Sequence, residues 1–422
     1  MPEIAFYIGL KNNRSAIEGA ELDKGNPGVG GTQYLFLITV IMLNRLYGSN
    51  YALLLTDVCF SNADRCLVTE YAENEGAAIR YCEKNNIDNL VINANAADRV
   101  DPKIFETTVD IMLWAHNTLS AKRQRIAANT KSIKWVVCVS ESQFKNMKDT
   151  PCFGKCTFIN NVIPEYFYDH ATLTDYSEEK AAYVGSLMPQ KGAHDLIEIW
   201  RTVEKKCPHA QLYIFGGANL WNENIVLGGT GAADVFYDRI LKKRLKKLAH
   251  PENIHFMGAK GWEYIDKFVS TFRLGIVNPS HYMRDETFCL SAVEMAAHGL
   301  PVISRQRYDG LQTTIIHGKN GYLEKSNKEI AKRMISVLSD PNESKKLGSE
   351  GRNHAKRFVA RKNVTKWYEL AETTRSKAAS GKKAVFSKDS AMLRKDFRHK
   401  IAFLIESGKC IYLLKKKLRL KK

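Results

Sequence analysis

No stretch of the sequence reaches the roughly 20 consecutive apolar residues that a membrane-spanning helix needs. The first residues, MPEIAFYIGL, lack the basic and long apolar segments of a signal peptide. The nine cysteines form no paired framework, and their odd number leaves at least one thiol unpaired, which is typical of a reducing compartment. We therefore expect a cytoplasmic protein that is soluble or peripheral to a membrane.

The common metal and nucleotide motifs are absent as well. Cys152 and Cys156 are the closest cysteine pair, but no histidine or second cysteine pair lies at zinc-ligand spacing near them. The glycines at 28, 30 and 31 match neither GxGxxG nor Walker A, because no Lys-Ser/Thr follows them. The sequence therefore predicts no metal site.

Positive charge is concentrated at the carboxyl end. Residues 382–422 carry 14 Lys/Arg and three Asp/Glu, a net charge of +11 out of +18 for the whole chain. Bulky apolar residues alternate with the basic ones, a mixture that favours docking on an anionic membrane surface, although a solvated tail is the alternative. Nucleic acid is not expected as a partner, because no nucleic-acid-binding motif is present.

The chain does contain a repeated alternation of strands and helices. Apolar strands are predicted at 4–8, 51–57, 89–95, 110–117, 134–140 and 155–161, and again at 181–187, 211–217, 253–258, 274–280 and 301–304. They lack polar alternation, which favours parallel sheets covered on both faces, and the polar stretch 165–180 predicts a linker. We predict an α/β fold of two Rossmann-like domains (1–170 and 171–370) that face each other across a cleft, followed by a basic amphipathic extension (371–422).

Three groups of residues are candidates for chemistry at the carboxyl ends of these strands, where such sheets bind ligands. Gly28, Gly30 and Gly31 precede a helix predicted from Thr32 as N-cap to Tyr47, and their amides can approach a phosphate unless they form a simple turn. In VGSLMPQKG, Lys191 lies at a predicted helix start beside which a pyrophosphate can bind, with a solvated lysine as the alternative. His116 follows an apolar strand and either contacts a ligand or makes structural hydrogen bonds.

The segment DETFCLSAVEMAAHGLPVI contributes two carboxylates, Glu286 and Glu294. On one continuous helix, eight positions would separate them by about 12 Å along the axis and roughly 80° around it, the reach of a nucleotide sugar. The sequence after Pro279 instead places Glu286 in a loop and Glu294 near the middle of the next helix. An unpaired buried carboxylate costs on the order of a few kcal/mol, so Glu294 needs a ligand hydroxyl or a basic partner unless it is exposed.

The order of these parts resembles the retaining glycosyltransferases of family four, of the type that builds bacterial surface polysaccharides, which have the GT-B fold. The resemblance covers about residues 3–370 and is strongest from 181 to 325. It is carried by the Gly-Gly loop, the strand-terminal histidine, VGSLMPQKG, the E-x7-E motif leading into AAHGLPVI, and HGKNGYL.

The resemblance implies a metal-independent transfer from a UDP- or GDP-linked sugar, with His116, Lys191 and Glu286 as catalytic residues. Glu294 would bind the ribose, Glu286 the transferred sugar, and Lys191 the diphosphate, with His116 beside the donor sugar. The remaining donor contacts would be backbone amides at Gly30, Gly31, Phe288, Cys289 and Leu290.

The sequence departs from the family pattern at four positions. Ser186 occupies the place of a frequent arginine, and the candidates to replace its charge are Arg284, Arg305 and Arg307. Thr287 and Cys289 stand where glycine is common, and Asn117 stands where aspartate is frequent.

The predicted acceptor is a glycan or a lipid-linked molecule, in surface polysaccharide or lipopolysaccharide synthesis on the inner face of the membrane. Two other functions remain open at this point. One is a nucleotide-sugar epimerase of the same fold. The other is an inactive basic scaffold that binds membranes.

Overall fold

The computed structural model describes residues 2–61, 64–95, 100–218, 220, 224–281, 286–306 and 310–376. Most of the predicted basic extension, from residue 377 onward, lies outside the described residues. Within the described part, no helix combines the length and apolar character needed to cross a membrane.

The amino-terminal sheet has seven parallel strands in the order β3-β2-β1-β4-β5-β6-β7. The strands are β1 (Ile4–Tyr7), β2 (Ala52–Thr56), β3 (Thr69–Tyr71), β4 (Asn89–Asn93), β5 (Asp110–Ala115), β6 (Ile133–Cys138) and β7 (Cys156–Phe158). The helices of this part are α1 (Arg14–Ile17), α2 (Gly31–Tyr47), α3 (Glu75–Lys84), α4 (Ala121–Asn129), α5 (Glu141–Asn146) and α6 (Glu165–His170). Nearly every residue of β1, β2, β4 and β5 is buried, as expected of strands covered on both faces.

The carboxyl-terminal sheet has six parallel strands in the order β10-β9-β8-β11-β12-β13. The strands are β8 (Lys180–Val184), β9 (Gln211–Phe215), β10 (Ile254–Gly258), β11 (Leu274–Ile276), β12 (Val302–Arg305) and β13 (Gly321–Glu324). The helices of this part are α7 (Ala193–Val203), α8 (Val235–Leu245), α9 (Trp262–Val269), α10 (Leu290–Ala297), α11 (Leu311–Thr314), α12 (Asn327–Ser339) and α13 (Pro341–Ala355), and α14 (Ala360–Ser376) follows them.

Both sheets are doubly wound, which confirms the predicted fold class of two parallel α/β sheets. In each, the strand order reverses beside the first strand, between β1 and β4 and between β8 and β11. A crevice forms at the carboxyl ends of the strands at such a reversal, and ligands of doubly wound sheets bind there.

The chain crosses between the two sheets twice. The first crossing follows β7, and the second precedes α14, which packs on α2, with the Trp367 ring 5.4 Å from the ring of Phe6 in β1. The two crossings lie side by side, because the Ile163 amide donates to Phe358 O at 2.9 Å and the Ala360 amide donates to Ile163 O at 3.0 Å. The domain bounds at 170 and 370 remain a prediction.

Two local predictions were wrong. Helix α2 begins at Gly31 with Gly30 as its N-cap, so Thr32 is not the cap, whereas Gly48 ends the helix as predicted, with a φ of 111°. The predicted linker begins with a helix, α6, rather than with irregular chain.

Candidate functional site

A cleft of about 380 Å³ lies between the two sheets, at the reversal point of the carboxyl-terminal one. Its walls include Gly185 and Ser186, which follow β8, and Asn278, which follows β11. The amino-terminal side contributes the start of α2 and the residues after β5. The structure brings all nine predicted site residues to this cleft: Gly30, Gly31, His116, Lys191, Glu286, Phe288, Cys289, Leu290 and Glu294.

The glycine loop before α2 contacts loops of the carboxyl-terminal part. The Gly30 amide donates to Leu220 O at 2.6 Å, and the Trp262 amide donates to Asn26 O at 3.0 Å. Gly28 has a φ of 105°, and a Cβ on Gly261 would come 2.9 Å from the Pro27 backbone. The Gly30 amide, predicted to bind a diphosphate, is thus engaged by protein in this structure, while Gly31 opens α2 at the cleft wall.

Lys191 lies in a short turn before α7 rather than at the helix start itself. Gly192 follows with a φ of 85°, and a Cβ there would lie 2.2 Å from Ser280 N. This close approach holds the turn against the segment after β11. The Tyr237 hydroxyl accepts from the His194 amide at 3.3 Å, so the first turn of α7 is capped by protein.

Glu286 is held in the cleft by two donors. The Lys191 ammonium lies 2.7 Å from Glu286 Oε2, and Asn278 Nδ2 donates to the same oxygen at 2.6 Å. Glu286 lies in the loop before α10, as predicted, so the two glutamates do not share a helix. The arrangement places a cation and a carboxylate side by side on one wall of the cleft.

Glu294 is the fifth residue of α10 and is only 4% exposed. Burial raises its pKa to about 8, while a hydrogen bond from the Trp262 side chain acts in the opposite direction. Glu294 Oε1 has no hydrogen-bond partner within the described residues. The basic partner that the sequence left open for this carboxylate is not found among them, so the oxygen is open to a hydrogen bond from a ligand hydroxyl.

His116 lies just after β5, with its ring 4.4 Å from that of Trp114. Burial lowers its pKa to about 3, so the imidazole is neutral at physiological pH. His116 Nε2 has no partner among the described residues, and the ring lines the cleft. The Gln143 side chain fixes this loop by donating to Ala115 O at 2.9 Å and to Asn117 O at 3.3 Å.

The segment between the two glutamates closes the cleft from the carboxyl-terminal side. The Thr287 hydroxyl donates to His116 O at 2.6 Å, and the Ser140 hydroxyl donates to Thr287 O at 2.7 Å. Threonine in place of the usual glycine therefore ties this segment to the amino-terminal sheet. The start of α10 also lines the cleft, through Leu290 and the two residues before it, Phe288 and Cys289.

The cation expected at Ser186 is not supplied by Arg305. Ser186 lines the cleft, whereas Arg305 donates to Pro279 O at 2.7 Å, to Lys325 O at 2.9 Å and to Asn327 Oδ1. Arg284 and Arg307 lie outside the described residues. Of the described lining residues, the second cation besides Lys191 is Lys260, whose ammonium lies 4.8 Å from the Tyr264 ring centroid.

The described residues bring three metal-ligating side chains together outside the cleft lining. The ligand atoms of His194, Asp195 and His281 lie within 4.8 Å of one another. Asp195 Oδ2, however, already accepts from the His281 amide at 2.9 Å and lies 2.7 Å from His281 Nδ1, and the Arg244 guanidinium lies 4.0 Å from the other oxygen. These bonds and the neighbouring Arg244 indicate that Asp195 holds His281 in place, rather than that the three side chains bind a metal ion.

Sequence reasoning missed several lining residues. Asn278 orients Glu286, Trp262 hydrogen-bonds Glu294, and Asn161 and Lys260 line the cleft. None of them belongs to a periodic pattern or a motif that spacing alone would reveal. Only the position of Asn278, directly after a buried strand, gave a signal.

Residues 168–354 match the family described as "Glycosyl transferases group 1". The chain is 22% identical over 188 residues to trehalose synthase of Pyrococcus horikoshii, covering 43% of this chain and 41% of that protein. It is 24% identical over 204 residues to poly(glycerol-phosphate) alpha-glucosyltransferase of Bacillus subtilis, covering 47% of this chain and 27% of that protein. The match thus spans less than half the length of each of these curated relatives.

The fold extends over most of the chain. The solved structure of Anabaena Alr3699/HepE in complex with UDP superposes with a TM-score of 0.63 at 16% identity, covering 89% of this chain and 100% of that one. A likeness at this identity shows the fold, which is GT-B as predicted. Residues 168–354 thus match the group 1 glycosyl transferase family within a chain of the GT-B fold.

Proposed function

We propose that this protein is a glycosyltransferase that moves a sugar from a nucleotide-sugar donor, UDP- or GDP-linked, to a hydroxyl of a glycan or lipid-linked acceptor. The observation that carries the proposal is the Lys191–Glu286 pair, 2.7 Å apart, in a cleft whose neighbouring Glu294 lacks a partner for one buried oxygen. A cation for phosphates and a carboxylate for hydroxyls are the two chemistries that a nucleotide sugar requires.

The donor diphosphate is bound by Lys191 and by the amides that open α10 at Phe288, Cys289 and Leu290. The beginning of a helix carries a partial positive charge, and backbone N–H groups there bind phosphate oxygens. The start of α10 thus takes the role that the sequence predicted for the helix start beside Lys191, which is that of α7. Burial and the nearby Glu286 raise the pKa of the Cys289 thiol, so its side chain adds no negative charge at this position.

The ribose is bound by Glu294. Its Oε1 accepts a ribose hydroxyl, which removes the cost of leaving this buried atom without a hydrogen bond. The transferred sugar then lies towards Glu286 and His116, on the side of the amino-terminal sheet. A neutral His116 binds a sugar hydroxyl without adding a charge to the site.

Transfer requires the leaving diphosphate to be stabilised as its charge develops. Lys191 and the α10 amides are preorganised to do this, and the same charge makes a metal ion unnecessary for the step. We propose retention through attack on the face that the leaving group departs from, with a donor phosphate oxygen accepting the acceptor proton. The two carboxylates among the described lining residues, Glu286 and Glu294, are committed to binding, and neither is assigned as a nucleophile.

The acceptor is a surface polysaccharide, lipopolysaccharide or a lipid-linked precursor of one. Two observations support this class. The basic, apolar-rich segment 382–422 suits an anionic membrane surface, and the B. subtilis relative is named for glucosylation of poly(glycerol-phosphate). On this proposal the protein works at the inner face of the membrane, held there by its extension.

A thermal-shift experiment with UDP, GDP and their glucose and mannose derivatives tests the donor assignment. At 100 times its Kd, a ligand stabilises the folded state by about 2.7 kcal/mol, a shift of several degrees in Tm. We expect one nucleotide series to shift the wild type, Glu294→Ala to lose the shift, and the surface variant Glu350→Ala to keep it. No shift with any nucleotide would refute the proposal and favour the scaffold. A new nucleotide sugar formed without acceptor would instead identify an epimerase.

A further inference from the structure

Asn161 is a buried side chain that neither the motifs nor the resemblance assigned. It lies on the first crossing between the sheets, three residues after β7, and is only 4% exposed. Its Oδ1 has no hydrogen-bond partner within the described residues. The residue lines the cleft together with His116 and Glu294.

These three residues share an uncommon property. Each lines the same cleft and has a buried polar atom without a described partner, namely His116 Nε2, Asn161 Oδ1 and Glu294 Oε1. More than nine in ten buried polar groups in proteins are hydrogen-bonded, and one that is not carries the full cost of its lost hydration. Three such atoms around one opening indicate a ligand rich in hydrogen-bonding groups.

The backbone around Asn161 is held firmly. Ile163, two residues on, uses both its amide and its carbonyl to bond the second crossing, at Phe358 and Ala360. Val162 and Ile163 are both buried. The carboxamide is therefore presented from a rigid part of the cleft floor rather than from a loop that could turn it towards solvent.

The hydrogen-bonding capacity of Asn161 Oδ1 limits which group of a ligand it can contact. A carboxamide oxygen only accepts hydrogen bonds, so it requires a donor. In a nucleoside diphosphate the phosphates are acceptors, and the donors are the ribose hydroxyls, already assigned to Glu294, and the base N–H groups, which lie beyond the ribose from the diphosphate and the sugar. A pyranose adds several hydroxyl donors, and His116, assigned to the sugar, lies on the same side of the cleft as Asn161.

We propose that Asn161 binds the sugar of the donor, its Oδ1 accepting a hydrogen bond from a hydroxyl of the transferred pyranose. This rests on the proposed function and adds a residue that distinguishes the nucleotide sugar from the bare nucleotide. Asn161 is a binding residue, and it takes no part in bond making or proton transfer.

The test compares the affinity for UDP with that for UDP-glucose by isothermal titration, using GDP and GDP-mannose if the uridine pair does not bind. In Asn161→Ala we expect the nucleotide Kd to stay within twofold of wild type and the nucleotide-sugar Kd to rise about 3- to 10-fold, the loss of one neutral hydrogen bond. Asn161→Ser, whose hydroxyl is too short to reach, should behave in the same way.

The neighbouring Asn160 provides a matched control. Its Oδ1 also lacks a described partner, but the residue does not line the cleft. Asn160→Ala should leave both affinities unchanged. The Tm of the unliganded Asn161→Ala protein should be no lower than that of Asn160→Ala, because the alanine removes a polar atom that forms no bond in the unliganded protein.

Two results would overturn the assignment. An equal loss of affinity for nucleotide and nucleotide sugar would make Asn161 structural, and no loss for either would mean that the carboxamide holds only water. If the wild type binds neither nucleotide nor nucleotide sugar, the proposed function fails together with this inference. The wild-type titration alone separates that case from a failure specific to Asn161.

Discussion

The Lys191 ammonium lies 2.7 Å from Glu286 Oε2, although the two residues are 95 positions apart in the chain. The pair joins the turn before α7 to the loop before α10, and Asn278 completes it with a second bond to the same oxygen. On the proposed function, the cation for the diphosphate and the carboxylate for the sugar are thus aligned before any ligand arrives. Such preorganisation reduces the rearrangement that binding and transfer require.

Lys191→Met should abolish most of the activity. The variant keeps the side-chain length but loses the charge that stabilises the leaving diphosphate, and we expect kcat/KM to fall about 100- to 1,000-fold. Steady-state transfer kinetics measure this directly. Lys319→Met, at an exposed lysine on the far part of the domain, should remain within twofold of wild type. Equal losses in the two variants would indicate a general charge effect rather than a role in the cleft.

Glu294→Gln should change how stability depends on pH. The pKa of Glu294 is raised from its ordinary 4.5 to about 8 by burial, so the unfolded chain ionises first as pH rises. The contribution of Glu294 to the free energy of unfolding is therefore largest below pH 4.5. It decreases between pH 4.5 and about pH 8, by at most about 1.4 kcal/mol per pH unit. Glutamine does not ionise, so unliganded Glu294→Gln does not lose stability in this way. The Tm of the variant should therefore rise relative to that of the wild type as the pH increases through this range. Parallel Tm curves would contradict the prediction.

Gly192→Ala should damage the cleft as well as the fold. Its Cβ would meet Ser280 N at 2.2 Å in a backbone conformation with a φ of 85°, and the segment after β11 would have to move. We expect lower stability and weaker nucleotide binding, measured by denaturant unfolding and titration. Gly318→Ala tests the conformational cost alone, because φ is 74° there and no atom lies within 4 Å of its Cβ. That cost is about 1–2 kcal/mol, and Gly192→Ala should exceed it.

Asp195→Asn should loosen the segment that leads to Glu286. Burial raises the pKa of Asp195, but the bonds from His281 and the nearby imidazoles outweigh it and hold the pKa below its ordinary value. With a neutral amide, the 2.7 Å contact to His281 Nδ1 weakens, and we expect faster hydrogen exchange at residues 278–281 and a higher KM for the donor at little-changed kcat. Asp175→Asn, whose carboxylate is exposed, should alter neither.

The buried strands were predictable because both faces of a parallel sheet are covered, which leaves continuous apolar runs in the sequence. Two strands were missed, β3 (Thr69–Tyr71) and β13 (Gly321–Glu324), and both lie at the outer edges of their sheets. Both are short and partly exposed, β3 with no buried residue and β13 with buried residues only at alternate positions, so neither burial nor length marks them in the sequence. An edge position alone does not explain the failure, because the edge strands β7 and β10 were predicted.

The cleft lining was predictable where a motif fixed the spacing, or where a residue such as His116 follows a predicted strand. Glu286, Glu294 and Lys191 were found from their motifs, although the helix that carries only Glu294 begins four residues after Glu286. Asn161 has no motif, and its significance lies in a missing hydrogen bond that only coordinates reveal. Arg305 illustrates the opposite case, since its charge suited the diphosphate but its donors are used by Pro279, Lys325 and Asn327.

The paired crossings at Ile163 and at Phe358–Ala360 have an evolutionary and engineering consequence. The chain enters and leaves the carboxyl-terminal sheet at one point, so that sheet is an insertion whose two ends are neighbours in space. The carboxyl-terminal sheet with its helices can therefore be exchanged for the corresponding part of another protein through two adjacent junctions. Circular permutation at a site within this part would leave both junctions intact. On the proposed function, grafting at these two positions would recombine donor specificity with acceptor specificity.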